Sequence, residues 1–330
     1  MNRRKLRSMT AKMVFLPPQR EETREWARAV ADNVAGVQVV VTETAEEAAR
    51  EIEDADAAFG TLPPEMLERA RRLRWLQAPA AAPPAGYYYP ELARHPVQVT
   101  NFRGIFNEHI AAHIMAFVLA FARGLQVYIP RQLRHEWKPE PLDEGMVYLP
   151  ESTALIVGVG GIGAETARMC AAFGMRVIGV DARREGQPDG VAEMHTPERL
   201  DDVLAQADFV ILTVPHTPET EGFMGAERFA RMKRSAFFIN IGRGKTTRLD
   251  DLVAALRSGQ IAGAALDVYE QEPLPADHPL WDAPNVLLTP HVAGYGPYLD
   301  DRRRDIIVDN ARRLVAGEPL LNVVDKEHWF

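Results

Sequence analysis

Between residues 153 and 181 the chain runs from an apolar stretch, Thr153-Ala154-Leu155-Ile156-Val157, into Gly158-Val159-Gly160-Gly161-Ile162-Gly163. A helix-like stretch and a second apolar run ending at Asp181 follow. No other segment restricts the fold as strongly. The bare spacing GxGxxG is weak evidence, because glycine makes up about 7% of ordinary sequences and the pattern arises by chance. Its position between a strand and a helix is what makes it specific. Glycines permit a tight turn and let an anionic group approach the backbone, and the first N–H groups of the helix favour a pyrophosphate. Asp181, at the end of the next strand, is placed to accept from both ribose hydroxyls of an adenosine and to repel a 2′-phosphate. Arg183 and Arg184 blur that preference, since a guanidinium beside a ribose also suits a phosphate. NAD(H) is the favoured cofactor and NADP(H) the alternative, with Gly158, Gly160, Gly161, Ile162, Gly163, Asp181 and Arg183 as candidate contacts.

The 330 residues exceed what one hydrophobic core organises, so two domains are expected. The first hundred residues alternate short β-type runs (Met13 to Leu16, Val37 to Val41, Ala57 to Gly60, Trp75 to Ala78, Val97 to Thr100) with helix-like segments, the pattern of a parallel sheet covered by helices. A proline-rich stretch from Ala78 to Pro90 interrupts it and reads as a loop. A long apolar helix from Glu108 to Arg123 leads into a polar connection, Tyr128 to Pro150, that carries Trp137. From Thr153 a second alternating series follows a doubly wound pattern, with strands Ala154 to Gly158, Arg176 to Asp181, Phe209 to Thr213 and Ala236 to Ile241. A last helix, Asp300 to Ala316, stops at Gly317 and is expected to pack back onto the first domain. The fold class is α/β, with two doubly wound domains. Residues 1–103, completed by 295–330, form a flavodoxin-like substrate domain; residues 104–294 form a Rossmann dinucleotide-binding domain, including an arm at 108–150.

A formal charge of −8 argues against a broad nucleic-acid surface. The longest apolar run, Ile110 to Ala122, contains His113 and is too short to span a bilayer. The basic start of the chain lacks the long apolar segment of a secretory signal, so a cytoplasmic location is the default. The single cysteine, Cys170, lies in an apolar helical stretch and reads as a small buried thiol. No pair of the nine histidines shows a convincing metal spacing; His109 and His113 stand four apart on one helix without a third acidic ligand beyond Glu108, and no metal is expected.

Three later segments end apolar strands with polar residues, which is where open α/β sheets place their ligands. They are Phe238-Ile239-Asn240-Ile241-Gly242-Arg243-Gly244, Leu266-Asp267-Val268-Tyr269-Glu270-Gln271-Glu272-Pro273, and Leu288-Thr289-Pro290-His291. An arginine in Asn-x-x-Arg-Gly, a glutamate in Asp-Val-x-x-x-Glu-Pro and a histidine in Thr-Pro-His, in that order, resemble the signature series of the D-isomer-specific 2-hydroxyacid dehydrogenase family, among them glyoxylate and hydroxypyruvate reductases. The likeness extends from about Arg103 to Val323; the first hundred residues fit only as a pattern.

The resemblance implies hydride transfer between a nicotinamide and a 2-keto acid or D-2-hydroxy acid. Cationic Arg243 would hold the substrate carboxylate and polarise the ketone, His291 would give or take the proton, and Glu272 would orient the imidazole. It also places Pro215 and Thr220 on a cofactor-facing turn, Ile241 and Asp267 beside the nicotinamide, and the backbone of Ala80 and Ala81 at the substrate carboxylate. Asp267 has a plainer reading as a strand-end turn cap. In relatives the carboxylate loop carries a glycine- or serine-containing turn; here Ala80-Ala81-Ala82-Pro83-Pro84 stands in its place, and proline removes donors. Thr247-Arg248 replaces the Val-Asp of many relatives. A homodimer built on the arm and an active site between the domains are further implications. The alternative from another class is a dinucleotide-sensing interaction protein, like the co-repressors built on this fold, without significant turnover.

Overall fold

Among the described residues every strand pairs in parallel with its neighbouring strands, with one antiparallel bridge from Thr100 to Val323 at an edge, an arrangement that buries both faces of a sheet and calls for the unbroken apolar runs seen above. The computed structural model describes residues 10–81, 83–84, 86–141 and 145–326. The chain divides into two compact units, Met1–Ile105 with Pro297–Phe330, and Phe106–Gly296. In chain order the first part contains β1 (Ala11–Phe15), α1 (Glu21–Asn33), β2 (Val37–Val41), α2 (Ala45–Glu51), β3 (Ala57–Phe59), α3 (Pro64–Leu67), β4 (Trp75–Gln77), α4 (Pro90–Arg94) and β5 (Gln98–Thr100). The second unit begins with α5 (Asn107–Ala122) and α6 (Leu125–Leu133), then alternates β6 (Thr153–Val157), α7 (Gly161–Ala172), β7 (Arg176–Val180) and β8 (Glu193–His195). It continues through α8 (Leu200–Val203), β9 (Phe209–Leu212), α9 (Ala226–Arg231), β10 (Phe237–Asn240), α10 (Leu249–Arg257), β11 (Gly263–Leu266) and β12 (Val286–Leu288), and α11 (Leu299–Ala316) returns to the first unit.

The first sheet has the order β2-β1-β3-β4-β5, the flavodoxin-like winding. Its two faces divide by strand alternation. Val14, Ala58, Leu76 and Val99 pack with Ile52, Leu67 and Leu92, whereas Phe15 and Phe59 stack 5.1 Å apart and meet Trp26 and Phe102. Helices α1 and α11 pack together, and the tail after α11 adds to the sheet edge, where Val324 N donates to Val99 O at 2.8 Å.

The seven-stranded sheet runs β12-β11-β10-β9-β6-β7-β8, a Rossmann order with one extra strand. Leu155, Val157, Val210, Leu212, Phe238 and Leu266 point to one core, while Ala154, Ile156, Phe209, Ile211, Phe237 and Ile239 point to the other, against α5 and α7. Phe121 of α5 lies flat on Phe237 with ring centroids 4.4 Å apart, so the long apolar helix is a core element of this unit. Cys170 is buried with its sulfur 3.6 Å from Met115 Sδ, and burial pushes its thiol up to about 12. No single helix among the described residues is long and apolar enough to cross a membrane.

Two elements differ from the sequence expectation. The polar connection proposed from Tyr128 begins inside α6, which tolerates Pro130 as an interior residue. One ladder bond is lost there, in a short helix that buries none of its residues. Strand β8 has no apolar run because it is a three-residue, half-buried edge strand, where pairing needs only one neighbour.

Candidate active site

Strand β6 meets the fingerprint at Gly158, whose φ of 94° lies in the left-handed region and whose missing Cβ would stand 2.8 Å from Val214 Cγ1. At Gly163 a Cβ would fall 2.0 Å from the Gly158 carbonyl oxygen, so the first turn of α7 rests directly on the strand end. Gly161 abuts the Asn107 side chain, Ile162 packs half-buried on the α5 side of the sheet, and Gly160 faces open space. Two glycines are thus required by packing and one leaves clearance in front of a helix N-terminus. These residues fit a dinucleotide pyrophosphate.

Asp181 folds its carboxylate back onto the turn. Oδ2 accepts from Val159 N at 2.7 Å, and Oδ1 accepts from Arg183 N and Arg184 N, each at 2.9 Å. A carboxylate offers about four acceptor positions, so one remains for a ribose hydroxyl. Arg184 Nη1 donates to the Val159 carbonyl at 2.6 Å, and Arg183 lies within electrostatic reach of Glu219. The turn after β9 closes on itself, with Thr220 Oγ1 donating to Pro215 O at 2.7 Å and accepting from Thr217 N at 2.8 Å. Ile241 is buried and donates its N–H to Leu212 O at 3.3 Å.

Past β10 the chain turns sharply under the control of Asn240, which is fully buried. Its Oδ1 accepts from Gly242 N at 3.0 Å, and its Nδ2 reaches the Arg243 carbonyl and the hydroxyls of Thr246 and Thr247 at 3.0–3.2 Å. Thr247 therefore anchors the arginine loop. Gly244 has no alternative: a Cβ would lie 1.8 Å from Tyr269 O. The Arg243 guanidinium donates to Gly242 O at 2.7 Å. Its side chain keeps solvent-accessible area, yet the protein bulk around it pulls its pKa below the ordinary arginine value, opposed by the Glu272 charge. An arginine stays cationic after such a shift.

The turns after β11 and β12 meet next to it. Glu272 Oε1 accepts from Tyr269 N at 2.9 Å, while Oε2 pairs with His291 Nδ1 at 2.7 Å. His291 adopts a φ of 56°, a conformation uncommon for a side-chain-bearing residue. Asp267, only 1% exposed, accepts from Thr289 Oγ1 (2.6 Å), Val292 N (2.8 Å) and Ala293 N (2.9 Å). His113 Nε2 of α5 lies 3.0 Å from the same Thr289 hydroxyl.

Arg243, Glu272 and His291 are therefore gathered at the carboxyl edge of one sheet, on the side where Gly158 and Gly163 shape the nucleotide turn. The chain that carries this site is similar to known proteins. Residues 115–293 match the family model described as D-isomer specific 2-hydroxyacid dehydrogenase, NAD binding domain. The chain belongs to the D-isomer-specific 2-hydroxyacid dehydrogenase family. A glyoxylate reductase of Korarchaeum cryptofilum is 36% identical over 286 residues, covering 84% of this chain and 84% of that protein. A glyoxylate/hydroxypyruvate reductase B of Citrobacter koseri is 37% identical over 295 residues, covering 86% and 89%. A D-isomer specific 2-hydroxyacid dehydrogenase of Xanthobacter autotrophicus, solved with NADPH and MES, superposes with a TM-score of 0.81 at 31% identity over 97% of this chain and all of that one.

In this family member Ala80 and Ala81 lie in the first unit, on a loop tied to its own sheet: Gln77 Nε2 donates to Ala78 O at 3.1 Å and Asn101 Nδ2 to Ala81 O at 2.9 Å. The Tyr87 and Tyr89 hydroxyls donate to the Gly60 and Leu62 carbonyls at 2.8 and 2.9 Å. Ala82 of the same stretch, and residues 142–144 of the arm, lie outside the described residues. Among the described residues no three His, Cys, Asp or Glu side chains converge as a metal site.

Two outcomes are expected. Gly160→Ala should leave the urea midpoint of the protein nearly unchanged yet weaken nucleotide binding in calorimetry, whereas Gly163→Ala should lower both, because only the second Cβ collides with backbone. Burial pulls His113 below the ordinary histidine range, with the Asp267 charge opposing. A depressed folded-state value means that its stability contribution is complete above about pH 6.5 and is lost as pH falls below it. Urea midpoints measured from pH 7.5 to 5 should fall less in His113→Gln than in the unsubstituted protein. His95, also shifted down by burial and by Lys326, keeps part of the slope.

Proposed function

We propose that this chain is a cytoplasmic, NAD(H)-dependent reductase of 2-keto acids, running in reverse as a D-2-hydroxyacid dehydrogenase. The single observation that carries the proposal is the 2.7 Å pair between His291 Nδ1 and Glu272 Oε2, set in electrostatic reach of Arg243. With Nδ1 engaged by the carboxylate, Nε2 is the nitrogen that exchanges a proton with the substrate oxygen. Glu272 is itself fixed through Tyr269 N, so the imidazole is oriented before substrate arrives. Arg243 offers a planar donor fork that suits a 2-keto carboxylate and the oxygen where negative charge develops. The backbone amides at Ala80 and Ala81 are further donors to the carboxylate, and the first unit is the substrate domain. Gly158, Gly160, Gly161, Ile162, Gly163, Asp181, Arg183, Pro215, Thr220, Ile241 and Asp267 hold the dinucleotide, which supplies the hydride. Asp267 has one acceptor position left after its three loop donors, enough for a carboxamide N–H.

The preference for NAD(H) rests on the Asp181 charge at the ribose position and on Arg184, which is already turned to Val159 O. Purified protein should oxidise NADH faster than NADPH, at subsaturating cofactor, with glyoxylate or hydroxypyruvate as acceptor. His291→Ala should lower kcat by roughly 10²–10⁴ while leaving nucleotide affinity in place. Absence of turnover with every 2-keto acid tried, alongside tight nucleotide binding, would instead support the dinucleotide-sensing alternative.

The assembly proposed is a homodimer through the arm. Leu125, Ile129 and Leu133 recur every fourth residue on α6 and stay exposed, Leu133 at 77%, and Trp137 just beyond is fully exposed. Such a contiguous apolar stripe marks an association surface. Sedimentation of Leu133→Asp should show a monomer where the unsubstituted protein sediments as a dimer.

A further inference from the structure

Resting on the reading of His291 as the proton-exchanging residue, we infer that His113 of α5 is a positioning residue for the loop that carries it, acting through Thr289 and Asp267. The Thr289 hydroxyl has a single hydrogen, and its 2.6 Å contact with the Asp267 carboxylate takes that hydrogen. Toward His113 the hydroxyl is then an acceptor, so the Nε2 at 3.0 Å carries a proton and donates. The order His113 to Thr289 to Asp267 is therefore fixed in direction.

Asp267 completes the device by accepting from Val292 N and Ala293 N, the two residues after His291. Thr289 is held a second time, at its carbonyl oxygen, by the Tyr269 hydroxyl at 2.9 Å. Between these anchors only Pro290 and His291 remain, and proline has little backbone freedom. The left-handed φ of 56° at His291 is what closes the turn, and the anchors on either side maintain it. His113 is set in turn by the edge of its ring against Phe117, with centroids 4.7 Å apart and planes at 84°. Helix α5 also packs on α7 and places Asn107 against Gly161 of the nucleotide turn. One helix thus references both the nucleotide turn and the loop bearing the proton-exchanging residue.

The test compares His113→Leu, which removes the donor, with His113→Gln, whose side-chain amide can supply an N–H to Thr289. Three readouts are needed: steady-state NADH oxidation with glyoxylate, nucleotide affinity by calorimetry, and amide hydrogen exchange across residues 289–293. The leucine variant should lose at least about tenfold in kcat, since small misplacements of a reacting group cost that much or more. Its nucleotide affinity should stay within about twofold, and the Val292 and Ala293 amides should exchange faster; glutamine should restore both kcat and slow exchange. Unchanged exchange and kcat in the leucine variant, an equal loss in both variants, or a loss of nucleotide binding along with kcat would overturn the inference. If the unsubstituted protein turns over no keto acid, the reductase reading fails, while the exchange comparison still decides whether His113 holds the loop.

Discussion

The second unit depends on backbone meeting backbone without side chains between. At Gly163 the start of a helix rests on the carbonyl that ends β6, and at Gly244 the arginine turn rests on the carbonyl of Tyr269. Neither approach survives a Cβ. Because the strands are parallel and in register, their carboxyl ends lie side by side, and these close contacts fuse neighbouring loops into a continuous edge. The chemistry of the edge follows from that fusion: a guanidinium, a carboxylate and an imidazole from three separate turns are held in place by packed backbone and by buried, hydrogen-bonded polar groups such as Asn240 and Asp267.

Much of this was visible in the amino-acid order. The strand–glycine–helix sequence at 153–172 located the tight turn between β6 and α7 because glycine spacing and apolar period are local properties. The order Arg243, Glu272, His291 pointed to the trio because each follows an apolar run that ends at the same sheet edge. What stayed hidden were contacts between a side chain and distant backbone. Nothing in the Asn-x-x-Arg spacing shows that Asn240 binds Thr246 and Thr247, and nothing in the His109–His113 pair shows that His113 meets a threonine 176 residues later. Such links have no period. Asp267 is the instructive case, since its plain reading as a turn cap describes what its three loop donors do, and the cofactor role proposed for it needs only the acceptor position they leave.

Local propensity also misdirects in both directions. Pro130 made α6 look like a connection, yet a short exposed helix gives up one hydrogen bond and persists. Strand β8 was silent because an edge strand with one neighbour has no need of an apolar run.

The first unit is discontinuous, and this governs how the chain is made. Its sheet edge is finished by Asn322, whose carbonyl accepts from Asn101 N, and by Val324, which pairs with Val99; its helical face is finished by α11 against α1. Residues that pair there are separated by more than two hundred others, the whole of the second unit. During synthesis the first hundred residues emerge without their closing helix, while everything the nucleotide-binding unit needs is already out of the ribosome. The inserted unit can thus mature first, and the sequence-distant pairing that seals the outer one is left to the end, as expected of contacts whose loop closure spans so much chain.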